Sequence, residues 1–307
     1  MSLTGNLDFT PGMYRKLLEA LKEAGYSFLS FEEYCVTPGY KSAVLRHDVD
    51  RKPENALKLA QIEADLGIKG SYHFRVVGSS NTPGIIRQIA GLGHEIAYHY
   101  EDMTLVARKE GKNGVTANER LVAEAYNRFR TNLDYFRQFY PVRVISMHGS
   151  PTGRTDNRLV WKHFDYRECD VICEPYFDID FSETLYLTDT GRRWDGERYN
   201  IRDKAIASVN GVQGAAVSDW KVRPVSGSLL SMTKEGFALR DRYKIHSTKE
   251  IMMLSKSGYL PDKMVINTHP QRWNDASLPW VWEIGAQSVK NRLKKLVIRF
   301  RAHNTIN

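Results

Sequence analysis

Apolar residues along this chain gather in short runs of four to seven, and between those runs they recur at every third or fourth position, so strand and helix patterns alternate. An early helix over 11–24 puts Met13, Leu17, Leu18 and Leu21 on one face after a Pro-Gly start, and Gly25 closes it. The first strong strand, 42–47, ends abruptly in His47, Asp48 and Asp50. Pro53 opens a helix whose Leu57, Ala60 and Ala64 share a face, and Gly67 ends it. A strand over 70–75, a helix over 83–90 and a third strand in GLGHEIAYH follow, the last stopping at His99. Residues 108–115 are charged and glycine-containing and read as a loop. Thr116 and Glu119 then form a capping box, and Val122, Ala125, Phe129, Leu133 and Phe136 make the stripe of a long helix. VRVISMHGSP supplies a strand ending at His148, and shorter strands are expected at 170–173 and 184–188. After a helix over 248–255, KMVINTHPQRW carries the last strand to His269.

Short strands alternating with longer helices define an α/β chain with a parallel sheet. Both a (β/α) barrel and an open doubly wound sheet collect functional groups at the C-terminal ends of their strands. Five segments spread along the chain end in histidine or polar residues, and that number favours the barrel. Neither a repeat nor a boundary is visible, so 1–307 reads as a single domain, with an irregular insertion over 202–236 where the periodicity fades.

Composition sharpens this picture in three places. With 42% hydrophobic and 11% aromatic residues, the 307-residue chain can bury a full core. It has no run of about 18 apolar residues that would span a membrane, and MSLTGNLDFTPG lacks the basic start and apolar centre of a signal peptide, so a cytoplasmic location is expected. Cys35, Cys169 and Cys173 form no C-x-x-C pair and argue against a disulfide framework or a zinc ribbon; they read as buried small hydrophobes. The net charge of +8 is local: six basic and no acidic residues lie from Gln287 onward, leaving 38 basic against 36 acidic residues elsewhere. A nearly neutral body gives no reason to expect nucleic acid as a partner. The basic stretch, with Leu293, Leu296, Val297 and Phe300 as a stripe, reads as a helix over 287–303 that docks on the body or contacts an anionic membrane surface or acidic glycan.

Side chains alternate along a strand, so Asp48 and Asp50 face one way and His47 and Val49 the other. Two carboxylates in one mouth repel unless a cation lies beside them. A divalent metal removes that cost and leaves one carboxylate free as a base toward water that the metal acidifies. Without a metal, Asp50 would cap the helix at Pro53 and Asp48 would pair with Arg46 or Arg51. His99, at another strand end, favours the metal, because neutral imidazole is the commonest partner of carboxylate on zinc.

HDVD, GHEIAYH, the strand ending in HGSP and the strand ending in NTHP, in this order over about 42–273, resemble the polysaccharide deacetylase family of the chitin- and peptidoglycan-deacetylase type. Together, RHDVD, GHEIAYHYED, SMHGSP, EPYFDID, LTDTGRRWDG and NTHPQRW are similar to deacetylases associated with bacterial O-antigen and surface-polysaccharide biosynthesis. The resemblance implies a distorted (β/α) barrel of about seven parallel strands, with Asp48 as catalytic base, Asp50 and His99 as metal ligands, and His269 as the acid that protonates the leaving amine. The family's second metal histidine falls on Met103, and a thioether is a poor zinc ligand. His148 is the first replacement and Glu101 the second; a two-ligand site or no metal at all is the remaining alternative. His94 falls at a structural position of the family. Asp189 and Trp194 in DTGRRW resemble a motif in which an aspartate orients the base-side machinery and a tryptophan walls the substrate. Arg193 and Arg272 would bind acidic sugar groups, and Trp273, Trp161, Tyr166, Tyr176 and Phe177 are further candidates for stacking on sugar rings.

The expectation is therefore a metal-dependent hydrolase, with zinc the first choice of metal, that removes an N-acetyl group from an amino sugar of a bacterial surface polysaccharide or its cytoplasmic precursor. The basic tail would hold it at the inner membrane face. Two alternatives stay open: a catalytically inactive carbohydrate-binding barrel, for which Met103 argues, and a metal-dependent hydrolase of a non-sugar carbon–nitrogen bond.

Overall fold

The computed structural model describes residues 7–109, 119–149, 156–194, 220–226, 228 and 242–274. Thr116 of the expected capping box, most of the insertion and the basic stretch 287–303 lie outside them. The elements run α1 (Pro11–Glu23), β1 (Ser27–Leu29), α2 (Phe31–Val36), β2 (Ser42–Val49), α3 (Pro53–Asp65), β3 (Ser71–Phe74), α4 (Pro83–Gly91) and β4 (Glu95–Tyr100). They continue with α5 (Asp102–Lys109), α6 (Glu119–Arg137), β5 (Ile145–Met147), α7 (Val160–His163), α8 (Pro175–Asp178), β6 (Leu185–Thr188), α9 (Thr248–Lys256) and β7 (Lys263–Thr268).

Local chemistry explains many of the boundaries. Thr10 caps α1 by accepting from the Met13 N–H, and Ser30 with Glu33 makes a full capping box on α2. Gly25 (φ 86°) and Gly67 (φ 66°) take the left-handed turn after α1 and α3, as their positions in the sequence predict. The loop expected over 108–115 begins later, because Arg108 and Lys109 still belong to α5. The strand expected over 170–173 reduces to one parallel bridge, Val144 to Cys173, after a 3-10 turn at Tyr166–Cys169.

All seven strands are parallel and form one curled sheet in the order β5-β4-β3-β2-β7-β6, with β1 also on β2. Taken round a ring, that order is β2 to β7 in chain order, open at the seam between β5 and β6. A doubly wound sheet would reverse direction at a switch point instead. The architecture is thus a half-barrel of α/β type, compatible with a (β/α) barrel but not closed among the described residues. β2 is long enough to take β1 beside Ser42–Val44 and β3 beside Arg46–Val49, with β7 on its other edge.

Burial separates an inside from an outside. Val44, Ala97, Val144 and Val265 point inward and meet Cys173, Ile179 and Phe181 from the chain after β5, with Phe31 and Tyr34 of α2. Their sequence neighbours Ala43, Leu45, Ile96, Tyr98, Ile145, Met264 and Ile266 point outward into two larger clusters under the helices. The outer face of β2 also carries a polar knot: Glu63 of α3 accepts from Tyr14 (2.5 Å) and Tyr72 (2.9 Å) and pairs with His47 (2.7 Å), whose other nitrogen meets Thr268 at 2.6 Å. Cys35 and Cys173 are joined as a disulfide across 138 positions, which corrects the expectation of unpaired cysteines; Cys169 is free. No helix among the described residues is long and apolar enough to cross a membrane.

The interior end of α2 is held by Glu95 of β4, whose carboxylate accepts from the Phe31 (3.2 Å) and Glu32 (2.9 Å) amides. Burial pushes its carboxyl up to about 7 from an ordinary 4.5. Because the folded pKa is the higher one, the stabilising contribution is full below about 4.5 and is lost as pH rises through about 7. Glu95→Gln removes that loss. Urea unfolding at about pH 5 and pH 8 is expected to show the variant gaining on wild type by on the order of 2 kcal/mol as pH rises, and an unchanged difference would refute the assignment.

Candidate metal centre

The alternation of β2 sends Arg46 and Asp48 inward and His47 outward, and all three are buried. Asp48 accepts from Arg46 through Nε (2.7 Å) and Nη2 (3.1 Å) and from Asn267 of β7 (3.0 Å). Burial opposes its ionisation, but Arg46 foremost holds the carboxyl well below its usual range. Asp50 reaches the mouth by a turn rather than by strand alternation. Its N–H bonds to the Asp48 carbonyl (2.9 Å), and Lys52 (φ 53°) then bends the chain into α3. The loop after β3 pins this turn: Ser80 Oγ donates to the Val49 carbonyl (2.5 Å) and Ser79 Oγ to the Asp50 carbonyl (3.1 Å).

Asp50, His99 at the end of β4 and His148 just after β5 converge. His148 Nδ1 lies 3.2 Å from both Asp50 Oδ1 and His99 Nε2, and His99 Nε2 lies 3.9 Å from Asp50 Oδ1. Ligand bonds of about 2.1 Å place donors about 3.4 Å apart in a tetrahedron and about 3.0 Å apart in an octahedron, so the triangle has nearly the size a divalent metal requires. The chemistry fits as well. His99 Nδ1 donates to the Ser146 carbonyl (2.9 Å), which leaves the Nε2 lone pair facing the triangle. Burial foremost pulls His99 down to about 3, so the ring is neutral, while His148 foremost outweighs burial and keeps Asp50 ionised. Asp50 Oδ1 is buried and takes no hydrogen bond of acceptable geometry. His148 is itself fixed, with its N–H on the Tyr100 carbonyl and its own carbonyl accepting from Asn157 (2.8 Å each).

On the opposite flank stands His269, just after β7. Its Nδ1 lies 2.7 Å from Asp189 Oδ1 and its N–H donates to Asp189 Oδ2 (2.9 Å); Arg272 (2.5 Å) and Trp273 Nε1 (2.9 Å) donate to the same carboxylate. We assign the ring proton to Nδ1, because an ionised carboxylate needs a donor there. That directs Nε2 to Asp48 Oδ2, 4.0 Å away. Arg272 foremost, then His269, overcome burial and bring Asp189 down to about 2.

The expected substrate contacts fall elsewhere. Asp189 orients His269 rather than the base side. Trp194 and Trp273 are 3% and 1% exposed and pack with Phe9 and Tyr14 in the core, so neither offers a face to a sugar. Trp161, Tyr166 and Phe177 are buried as well, and Tyr176, partly buried, has Arg158 over its ring at 5.1 Å. Arg193 is half-buried in the turn after β6. Glu101, the second candidate ligand, accepts from Arg75 through Nε (2.8 Å) and Nη2 (2.6 Å). Met103 is fully buried in the outer core from α5, and His94 bonds to the Gly70 N–H and the Ala60 carbonyl in a structural role. Asn267, Arg75 and His73 were not legible as site residues. Each sits at an inward position or strand end whose partner is set by sheet register, which no short motif records.

No protein-family model matches the chain, and neither a curated protein nor a solved structure matches it significantly.

The Arg46–Asp48 pair can be weighed by unfolding. Asp48→Ala leaves Arg46 buried without its carboxylate and is expected to cost about 3–5 kcal/mol in urea unfolding. Replacing both, Arg46→Met with Asp48→Leu, is expected to recover most of that loss, and a double variant no more stable than Asp48→Ala would count against the pair.

Proposed function

We propose that this chain is a metal-dependent amide hydrolase, and specifically an N-deacetylase of an amino sugar in a surface polysaccharide or its precursor. The observation that carries the reading is the Asp50–His99–His148 triangle with Asp48 and His269 beside it. A divalent metal held there, with zinc the first choice for two imidazoles and a carboxylate, would polarise the amide carbonyl and acidify water. The reaction adds the water oxygen to the carbonyl carbon, breaks the carbon–nitrogen bond and moves one water proton to the leaving nitrogen.

Asp48 is placed to receive that proton. Arg46 fixes its plane, and of roughly four lone-pair directions on the carboxylate three are taken by Arg46 and Asn267, which leaves one open. His269 Nε2, aimed by Asp189 and facing Asp48, is placed to take up the proton that Asp48 receives and pass it to the nitrogen, without which the amine is a poor leaving group. The sugar assignment rests on the motif resemblance, and the basic residues 290–301 fit a precursor carried at an anionic membrane face. One observation favours a second reading, hydrolysis of a non-sugar amide: the tryptophans expected to stack on sugar rings are in the core.

Metal content and acetate release test the proposal together. Purified protein supplied with zinc is expected to hold stoichiometric metal and to release acetate from N-acetylglucosamine oligomers. Asp48→Asn and His269→Gln are expected to keep the metal and lose about 10²–10⁴-fold in rate. Absence of stoichiometric metal would overturn the mechanism, and acetate from simple N-acetyl amines but not from the oligomers would select the second reading.

A further inference from the structure

His73 lies on the inner face of β3, fully buried, and neither of its ring nitrogens has a hydrogen-bond partner. Leaving such groups unpaired in the interior costs about 1–3 kcal/mol each, so a missing partner is implied. Register sets Asp48 beside His73 on the neighbouring strand. One carboxylate oxygen of Asp48, one nitrogen of His73 and one of His99 all fall within 4.8 Å of one another. The Phe31 ring stands edge-on to His73 at 5.6 Å and closes this space from the α2 side. Burial foremost, with Arg46 next, keeps His73 neutral, the form that offers a lone pair.

We propose that Asp48, His73 and His99 form a second, deeper metal position that excludes the outer one. The exclusion follows from His99. Its Nδ1 is committed to the Ser146 carbonyl, so Nε2 has the one free lone pair and can serve only one ion at a time. Two imidazoles and a carboxylate suit a divalent late transition metal here as at the outer position. The deeper position is the weaker, because Arg46 adds a neighbouring positive charge and already occupies two directions on Asp48. It is also unproductive, since a carboxylate that ligates metal cannot accept the water proton. His148 therefore decides where the metal sits. The inference shares His99 with the proposed active centre but needs no catalytic activity.

Cobalt(II) titration of the full chain, followed by visible absorption and equilibrium dialysis, separates the two positions. Wild type is expected to bind about one equivalent. His148→Ala is expected to keep about one equivalent, more weakly and with shifted bands, while His73→Ala keeps the wild-type spectrum. The double variant His73→Ala/His148→Ala should bind none, with circular dichroism confirming that it is folded. Loss of all cobalt in His148→Ala overturns the deeper position. So does a double variant that binds as well as His148→Ala, the outcome expected if a trapped water satisfies His73. Two equivalents in wild type overturn the exclusion. Failure of the outer assignment looks different: a wild-type spectrum that His148→Ala leaves unchanged.

Discussion

An ion pair sealed inside a sheet governs this molecule. Arg46 and Asp48 are two apart on β2, both point inward, and both are almost fully buried. Moving either charge out of water alone would cost several kcal/mol, so the carboxylate that faces the mouth stays ionised chiefly because the guanidinium beneath it is there. The pair also reserves space. It keeps apolar side chains out of the upper interior, where His73, Ser146 and Asn267 retain unmet polar atoms. Below it the interior is filled by Val44, Ala97, Val144 and Val265.

The other face of the same strand does complementary work. His47 turns away from the mouth into the knot around Glu63, where Tyr14 of α1, Tyr72 of β3 and Thr268 of β7 meet. Helices and strands from four parts of the chain thus hold β2 from outside, while Arg46 and Asn267 hold Asp48 from inside. A catalytic geometry needs side chains fixed to fractions of an ångström, and rigid strand ends supply that better than loops.

Much of this was legible in the sequence because two periods carry it. Alternation along 42–49 separates Asp48 from His47, and helical spacing marks α1, α3, α4 and α6. What stayed hidden depends on contacts between distant segments. Cys35 meets Cys173 because α2 packs its Phe31 and Tyr34 into the interior cluster that holds Val144 and Cys173. The tryptophans of DTGRRW and NTHPQRW read as a groove wall, yet the turns after β6 and β7 fold their rings under α1 against Phe9. No local pattern distinguishes those fates, since a tryptophan near a polar cluster suits both.

That His148 and not Met103 joins the triangle has a structural cause. β4 ends at Tyr100 and α5 begins at Asp102, so only Glu101 lies between strand and helix. Both residues of this junction are anchored: Glu101 by Arg75, and Asp102 by Tyr98 (2.7 Å) and Asn132 (2.7 Å). With the first turn of α5 so fixed, position 103 points into the core beneath α6, where a thioether packs well and an imidazole would be left without a partner. The neighbouring strand supplies the third side chain of the triangle instead. β5 runs beside β4, and the hydrogen bond from His148 to the Tyr100 carbonyl extends that pairing one residue past β5, bringing the His148 ring to His99. A helix that starts one residue after its strand therefore takes position 103 out of the mouth, and the adjacent strand brings the third polar side chain of the triangle, its place set by the sheet's own hydrogen bonding.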